Sequence, residues 1–235
     1  MQEYVAEFIG TMVLIVLGVG LGASVNLKKA YAKGSNWLYI CFGWGLAVAF
    51  GVYVAGFIGS QAHLNPAITL AFAAFDLFPK DKVIGYIVAQ FLGAFVAAAI
   101  VALHFYPHFK ETTTEEEGNH VGIFGSGAAI SNKLFNCLSE TIATFFFVFI
   151  LLNLGDFTEG LKPLIVGLTI TSVGLALGST TGYALNPCRD FSPRLAYKIL
   201  PIPNKGDTHM EYAWVPIVGP ILGALLASLL YTIIL

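Results

Sequence analysis

The composition of this 235-residue chain excludes an ordinary soluble domain, because 57% of its residues are hydrophobic and only 11% are charged, against about 25% charged residues in soluble proteins. The formal net charge of −2 comes without a basic patch, so nucleic acid is not an expected partner. Three cysteines without metal-ligand spacing indicate neither a disulfide framework nor a metal site. Apolar segments of about 20 residues instead predict an integral membrane protein.

Six apolar segments have the length of a membrane span. The first lacks the basic start and the cleavage site of a signal peptide, so we expect it to be a retained span. The predicted spans are residues 4–25, 37–58, 83–105, 133–154, 161–180 and 212–235. The longest connection, residues 108–132, contains the acidic run Glu115 to Glu117, which is typical of a solvated loop. We assign no chemistry to this connection, and the distribution of Lys and Arg does not decide the orientation in the membrane.

Two shorter apolar runs begin with the same pair of residues. Asn65-Pro66 and Asn186-Pro187 have the residue order of a helix start, with Asn at the cap and Pro at the first helical position. The runs 66–75 and 187–199 are too short to cross a bilayer. Free N–H groups and irregular backbone are tolerated at membrane depth only where they line a polar cavity. We therefore predict two half-helices whose starts, at Pro66-Ala67 and Pro187-Cys188, border such a cavity.

The two Asn-Pro sites are the centres of an internal repeat. Residues 6–11 correspond to 139–144, and residues 91–97 correspond to 221–227. Each half has three spans, and because three is odd the second half enters the membrane from the opposite side. The predicted fold is an all-α membrane protein with six transmembrane helices and two re-entrant half-helices in an inverted repeat. It forms a single channel domain over residues 1–235, with repeats of about 1–107 and 133–235.

The stretches before the half-helices carry the groups that could handle a passing solute. Asn65 and Asn186 each offer an amide donor near the predicted midpoint. The descending backbone has no helix to bond within, so its carbonyl groups are expected to form a ladder of acceptors. These carbonyls belong to Gln61, Ala62, His63, Gly182, Tyr183 and Ala184.

Glu7 and Glu140 lie within apolar spans, and a carboxylate inside a membrane is a functional-site hypothesis by default. One interpretation is proton coupling. The interpretation we favour is that both, at corresponding positions of the repeat, accept N–H groups from the two descending loops. His63 is likewise expected to be a structural hydrogen-bond donor. Cys188 is expected to be packed against its neighbours, with the alternative that its thiol, beside Arg189, is accessible from the pore.

The segments His63-Leu64-Asn65-Pro66-Ala67 and Leu185-Asn186-Pro187-Cys188-Arg189-Asp190 resemble the two signature loops of the aquaporin family, and the resemblance covers essentially the whole chain. Trp44, Gly174 and Asp190 resemble the glycerol-facilitator branch. The resemblance implies a homotetramer in the cell membrane, without enzymatic activity or cofactor, and a supporting role for Asp190. It also implies a selectivity filter formed by Trp44, Gly174, Tyr183 and Arg189.

Two residues depart from the glycerol-facilitator pattern. Cys188 replaces the usual Ala, a change between small residues that should leave the helix start intact. Tyr183 stands where Phe is usual. Its hydroxyl is expected to make the filter narrower or more polar.

The residue types at the filter predict its solutes. Arg189 offers a rigid fork of donors, and Trp44 and Tyr183 offer aromatic faces for the CH side of a polyol. This predicts passive conduction of glycerol, other small uncharged solutes and water, with protons and ions excluded by Arg189 and by the two helix starts. The alternatives are a channel tuned to dihydroxyacetone, urea, hydrogen peroxide or protonated lactic acid, a proton-coupled secondary transporter, and a closed membrane scaffold.

Overall fold

The structure, a computed structural model, describes residues 1–157 and 160–234 and is helical between its connections. In chain order the helices are α1 (Gln2–Asn26), α2 (Trp37–Ile58), α3 (Pro66–Ala74), α4 (Val83–His104), α5 (Tyr106–Glu111), α6 (Thr114–Glu117), α7 (Val121–Phe124), α8 (Lys133–Leu152), α9 (Lys162–Leu177), α10 (Pro187–Ile199) and α11 (Val215–Ile234). Within the described part of the chain, six segments are long and apolar enough to cross a membrane, and they contain α1, α2, α4, α8, α9 and α11. The predicted end of the last span, Leu235, lies outside the described residues.

The helices pack in a pattern that repeats between the two halves. Helix α1 packs against α2 and α4, and α8 packs in the same way against α9 and α11. The halves meet where α2 contacts α9. Each half-helix crosses to the other half, since α3 packs against α11 and α10 against α4. Each half-helix therefore packs against helices of both halves, since α3 also contacts α4 and α10 also contacts α11.

The packing depends on glycines at equivalent positions of the repeat. A Cβ on Gly93 of α4 would lie 2.3 Å from the Phe8 carbonyl oxygen on α1. A Cβ on Gly223 of α11 would lie 2.3 Å from the Thr141 carbonyl oxygen on α8. Small residues of this kind let transmembrane helices approach backbone to backbone. The crossing of the first and third span is thus built in the same way in both halves.

The connection between α4 and α8 is packed as well as solvated, which the sequence did not indicate. Phe109 and Phe124 are fully buried and stack on each other, and Phe124 also stacks on Tyr197 of α10. At the surface, Lys29 pairs with Glu111 at 2.6 Å. The hydrogen bond and charge of the Lys29 ammonium lower the pKa of the Glu111 carboxyl. The connection therefore rests on α10, next to the predicted filter.

Candidate functional site

Glu7 holds the loop that leads into α3. Its Oε1 accepts hydrogen bonds from the Ser60 hydroxyl and the His63 N–H, both at 2.9 Å. Its Oε2 accepts from the Leu64 N–H and the Gln90 side-chain amide, both at 2.8 Å. The carboxyl group is fully buried, and a buried carboxylate is tolerated when donors of this kind satisfy it.

Glu140 holds the second loop in the same way. Its Oε1 accepts from the Thr181 hydroxyl at 2.7 Å and the Ala184 N–H at 2.9 Å, and its Oε2 accepts from the Leu185 N–H at 3.0 Å. This carboxyl group is also fully buried. In the structure both glutamates contact the loops, as in the interpretation that we favoured from the sequence.

The two loops share an unusual backbone conformation. Ala62 and Leu64 have φ values of 54° and 50°, and the corresponding Tyr183 and Leu185 have 36° and 54°. Non-glycine residues in this left-handed region cost of order 1–3 kcal/mol each and persist where their surroundings fix them. The bonds from the two glutamates to these loops supply that constraint.

Each half-helix is capped by its Asn. The Asn65 Oδ1 accepts from the Ala67 N–H at 2.9 Å, and the Asn186 Oδ1 accepts from the Cys188 N–H at 3.0 Å. Pro66 and Pro187 occupy the first helical positions. Cys188 is fully buried, with its sulfur 3.1 Å from Asn186 Oδ1, so the thiol is packed and does not border the pathway.

The amide groups of the two Asn residues connect the halves. The Asn65 Nδ2 donates to the Leu185 carbonyl oxygen at 2.9 Å, and the Asn186 Nδ2 donates to the Leu64 carbonyl oxygen at 2.8 Å. An NH₂ group carries two hydrogens, and each of these groups uses one for the opposite loop. The second hydrogen of each remains for a solute.

A cavity of about 650 Å³ runs past both Asn residues. Its lining includes Gly56, Gln61, Leu154, Lys162 and Tyr231 as well as Trp44, Tyr183 and Arg189. Of the predicted acceptor ladder, Gln61, Ala62, His63, Tyr183 and Ala184 line the cavity, whereas Gly182 does not. No N–H or O–H of the described residues is directed at the carbonyl oxygens of Ala62, His63 or Ala184.

At the predicted filter, Arg189 lies on Trp44. The guanidinium carbon is 4.1 Å from the centroid of the Trp44 ring, a cation–π contact. Among the described residues the guanidinium group has no hydrogen-bond acceptor, so its donors are available to the cavity. Behind the ring, a Cβ on Gly18 would lie 2.1 Å from Trp44 Cζ3. No sequence pattern separates Gly18 from the other glycines of α1, whereas in the structure its lack of a side chain makes room for the Trp44 ring.

The position of Tyr183 differs from expectation. Its ring covers Gly174, where an added Cβ would lie 2.7 Å from the ring carbon Cζ. Gly174 therefore does not line the cavity, and it acts from behind the filter. The Tyr183 hydroxyl is buried beside the Cys41 thiol. It is therefore not exposed to the cavity, and its effect on the polarity of the filter stays a prediction.

A polar network behind the first loop was not predicted. The His63 Nδ1 lies 3.1 Å from the Thr69 hydroxyl, and the Gln90 amide donates to the same hydroxyl at 3.1 Å. Gln90 also donates to Glu7. His63 is thus one member of a network that holds the loop, and its Nε2 lies 3.3 Å from Gln61 Oε1.

Asp190 supports the segment between α7 and α8. Among the described residues, the donors to its carboxylate are Ser126 and Arg194, and neither belongs to the descending loops. Its Oδ2 accepts from the Ser126 N–H at 2.5 Å and the Ser126 hydroxyl at 2.7 Å. Its Oδ1 accepts from Arg194 Nε at 2.8 Å. Arg194 also donates to the carbonyl oxygens of Ser126, Thr208 and His209. The buried Asp190–Arg194 pair thus holds two connections, one at Ser126 and one at Thr208 and His209, against α10 beside Arg189.

Comparison with known proteins agrees with this architecture. The family model described as "Major intrinsic protein" matches residues 1–231. The chain is 61% identical over 234 residues to glycerol uptake facilitator protein 2 of Lactiplantibacillus plantarum, with 100% of both chains covered. It is 48% identical to the glycerol uptake facilitator protein of Bacillus subtilis, covering 98% of this chain and 84% of the relative.

A solved structure is also similar. The aquaglyceroporin from Plasmodium falciparum matches with a TM-score of 0.84 at 31% identity, covering 98% of this chain and 94% of that one. The predicted fold class and family resemblance are confirmed. With six membrane-crossing segments among the described residues, the chain is a multi-pass integral membrane protein and belongs to the major intrinsic protein family.

Proposed function

We propose that the chain is a passive channel for glycerol and other small uncharged solutes, together with water. The observation that carries this proposal is the constriction, where the unpartnered guanidinium of Arg189 lies on Trp44 and the Tyr183 ring borders the same cavity. A polyol can direct its hydroxyls to the guanidinium donors and its CH groups to the rings. The relatives named glycerol uptake facilitators support the same class of solute.

A solute that leaves bulk water must replace the hydrogen bonds it loses, since an unpaired polar group costs several kcal/mol in an apolar setting. Arg189 supplies donors at the constriction. The remaining amide hydrogens of Asn186 and Asn65 continue the series at the midpoint, and the Ala62 and His63 carbonyls supply acceptors beyond it. The rest of the cavity is mostly apolar, so the solute is not held strongly at any one place.

Ion exclusion follows from the same groups. The N-termini of α3 and α10 both face the midpoint, where their capping Asn residues meet the opposite loops. The positive ends of two helix dipoles, together with Arg189, repel cations and protons. Anions would have to give up hydration in a passage lined mainly by apolar groups.

Proton-coupled transport is the weaker candidate. Glu7 and Glu140 are fully buried, accept hydrogen bonds from the loops, and do not line the cavity. The described residues that line the cavity include no Asp or Glu. The carboxylates are therefore committed to holding the loops, and transport rather than catalysis is the activity that the pathway supports.

Stopped-flow light scattering on proteoliposomes tests the proposal. We expect flux that is linear in glycerol concentration, unaffected by a pH gradient, and above that of empty vesicles. A panel containing dihydroxyacetone, urea, hydrogen peroxide and lactic acid at low pH ranks the other neutral solutes. Saturable uptake driven by the pH gradient would instead establish a carrier, and permeability equal to that of empty vesicles would establish a closed scaffold.

We also propose that the chain assembles as a homotetramer with one pore per subunit, as the family resemblance implies. Large apolar side chains on the outer faces of α2, α4, α8 and α11 remain exposed in the single chain, which suits contact with lipid and with neighbouring subunits. Native mass spectrometry from mild detergent tests the assembly.

A further inference from the structure

We propose that Cys41, a residue that does not line the pathway, sets the width of the constriction by limiting how far the Tyr183 ring can retreat from it. This inference rests on the proposed channel function and identifies a positioning residue for its solute specificity. Cys41 belongs to α2 and is fully buried.

The Tyr183 ring lies in a niche formed by two glycines one helical turn apart. A Cβ on Gly174 would lie 2.7 Å from Cζ and 2.9 Å from Cε2 of the ring, and a Cβ on Gly178 would lie 2.3 Å from Cδ1. Trp37 closes the niche, because its ring meets the Tyr183 ring edge to face at 5.7 Å and its Nε1 donates to the Gly174 carbonyl oxygen at 3.1 Å. The ring therefore cannot slide along α9.

Cys41 forms the bottom of this niche. Its sulfur lies 3.0 Å from the position that a Cβ on Gly174 would take, next to the Cζ end of the Tyr183 ring. The buried Tyr183 hydroxyl ends there, beside the Cys41 thiol. A thiol is a weak hydrogen-bonding group, so the contact between the two side chains is mainly one of volume.

The volume at position 41 should therefore control the position of the ring. Protein interiors are close-packed, and a change of one methyl group is felt by its neighbours. A larger side chain at 41 can be accommodated only if the ring moves toward Arg189, because Gly174, Gly178 and Trp37 block its other directions. A smaller side chain lets the ring retreat and widens the passage.

The experiment compares permeability ratios of Cys41→Val, Cys41→Ala and Cys41→Ser in proteoliposomes. We expect Cys41→Val to lower the glycerol-to-water ratio at least about fivefold. Cys41→Ala should raise the erythritol-to-glycerol ratio, and the nearly isosteric Cys41→Ser should match wild type. A ratio measured on one preparation does not depend on the amount of folded channel. Cys137→Val and Cys137→Ala are matched controls, because Cys137 is buried on α8 and does not line the cavity.

A second arm asks whether the effect passes through the ring. In a Tyr183→Ala background, Cys41→Val should leave the ratios unchanged, because no ring remains to be displaced. The same decrease in that background, or wild-type ratios in all Cys41 variants, would overturn the inference while leaving the channel function intact. A wild-type protein no more permeable than empty vesicles would overturn the proposed function, and this inference with it.

Discussion

Gly18 and Trp44 are in contact so close that position 18 has no room for a side chain. The ideal Cβ at Gly18 would lie 2.1 to 2.5 Å from three carbons of the Trp44 ring. Arg189 lies on the same ring, so the contact fixes both members of one side of the constriction. Two residues further along α1, a Cβ on Gly20 would meet nothing within 4 Å.

Gly18→Ala should therefore displace Trp44, and with it Arg189, whereas Gly20→Ala should not. We expect Gly18→Ala to lower the free energy of unfolding by about 1–3 kcal/mol through overpacking, and glycerol permeability about tenfold. Gly20→Ala introduces the same methyl group on the same helix and serves as the control in thermal unfolding and stopped-flow assays. Equal glycerol permeability of the two variants would contradict the inference that the packing of Gly18 against the Trp44 ring fixes the position of Trp44.

Tyr183→Phe should leave selectivity unchanged. The hydroxyl is buried beside the Cys41 thiol and is not exposed to the pathway, and a thiol is a weak hydrogen-bonding group. We expect the Phe variant to change the free energy of unfolding by less than about 1 kcal/mol and to keep the wild-type glycerol-to-water ratio. A changed ratio would mean that the hydroxyl reaches the solute.

Glu7→Gln should disrupt the first loop. The carboxylate accepts four hydrogen bonds, and an amide in its place directs an NH₂ group at two of those donors. We expect a loss of about 2–6 kcal/mol in the free energy of unfolding, at about 1–3 kcal/mol for each orphaned donor, together with loss of glycerol permeability at every pH.

Glu3→Gln is the control for that variant. It makes the same substitution on the same helix, at a partly exposed ion pair with Lys82. Such a pair contributes about 0–1 kcal/mol to the free energy of unfolding. A Glu7→Gln protein of wild-type stability that had lost only gradient-driven uptake would favour the proton-coupled carrier.

Arg194→Ala should loosen the two connections fastened to α10. Arg194 and Asp190 are 1% and 0% exposed, and removal of one partner of a buried ion pair costs about 3–5 kcal/mol. We expect faster amide hydrogen exchange in residues 121–131 and 205–211, measured by mass spectrometry. Lys198→Ala on the same helix, at an exposed position, should exchange as wild type does. Unchanged exchange in the Arg194 variant would contradict the anchoring role.

The parts of the site that were predictable are those that occur in both repeats of the sequence. Asn65 with Asn186, and Glu7 with Glu140, occupy corresponding positions, and the repeat alone indicated that they act on corresponding loops. The half-helices begin at the predicted prolines because capping and proline geometry are local properties.

The parts that were missed depend on contacts between distant segments. The direction of the Tyr183 hydroxyl is set by Gly178 and by Cys41 of another helix, and no local pattern encodes it. In the sequence Gly18 is one of several glycines of α1, and small residues are common wherever membrane helices cross. The packing of the long connection depends on the stacking of Phe124 on Tyr197, 73 residues further along the chain.

Asn65 and Asn186 each donate a hydrogen bond to the opposite half of the protein. These two bonds bear on how the protein is synthesised and inserted. The carbonyl that receives the Asn65 hydrogen belongs to a residue 120 positions later in the chain. During synthesis the first half-helix therefore enters the bilayer with its cap amide and the Leu64 oxygen unmatched, a state that lipid penalises. We therefore expect it to settle at its final depth only after the second half has been synthesised, so that the two re-entrant segments insert together.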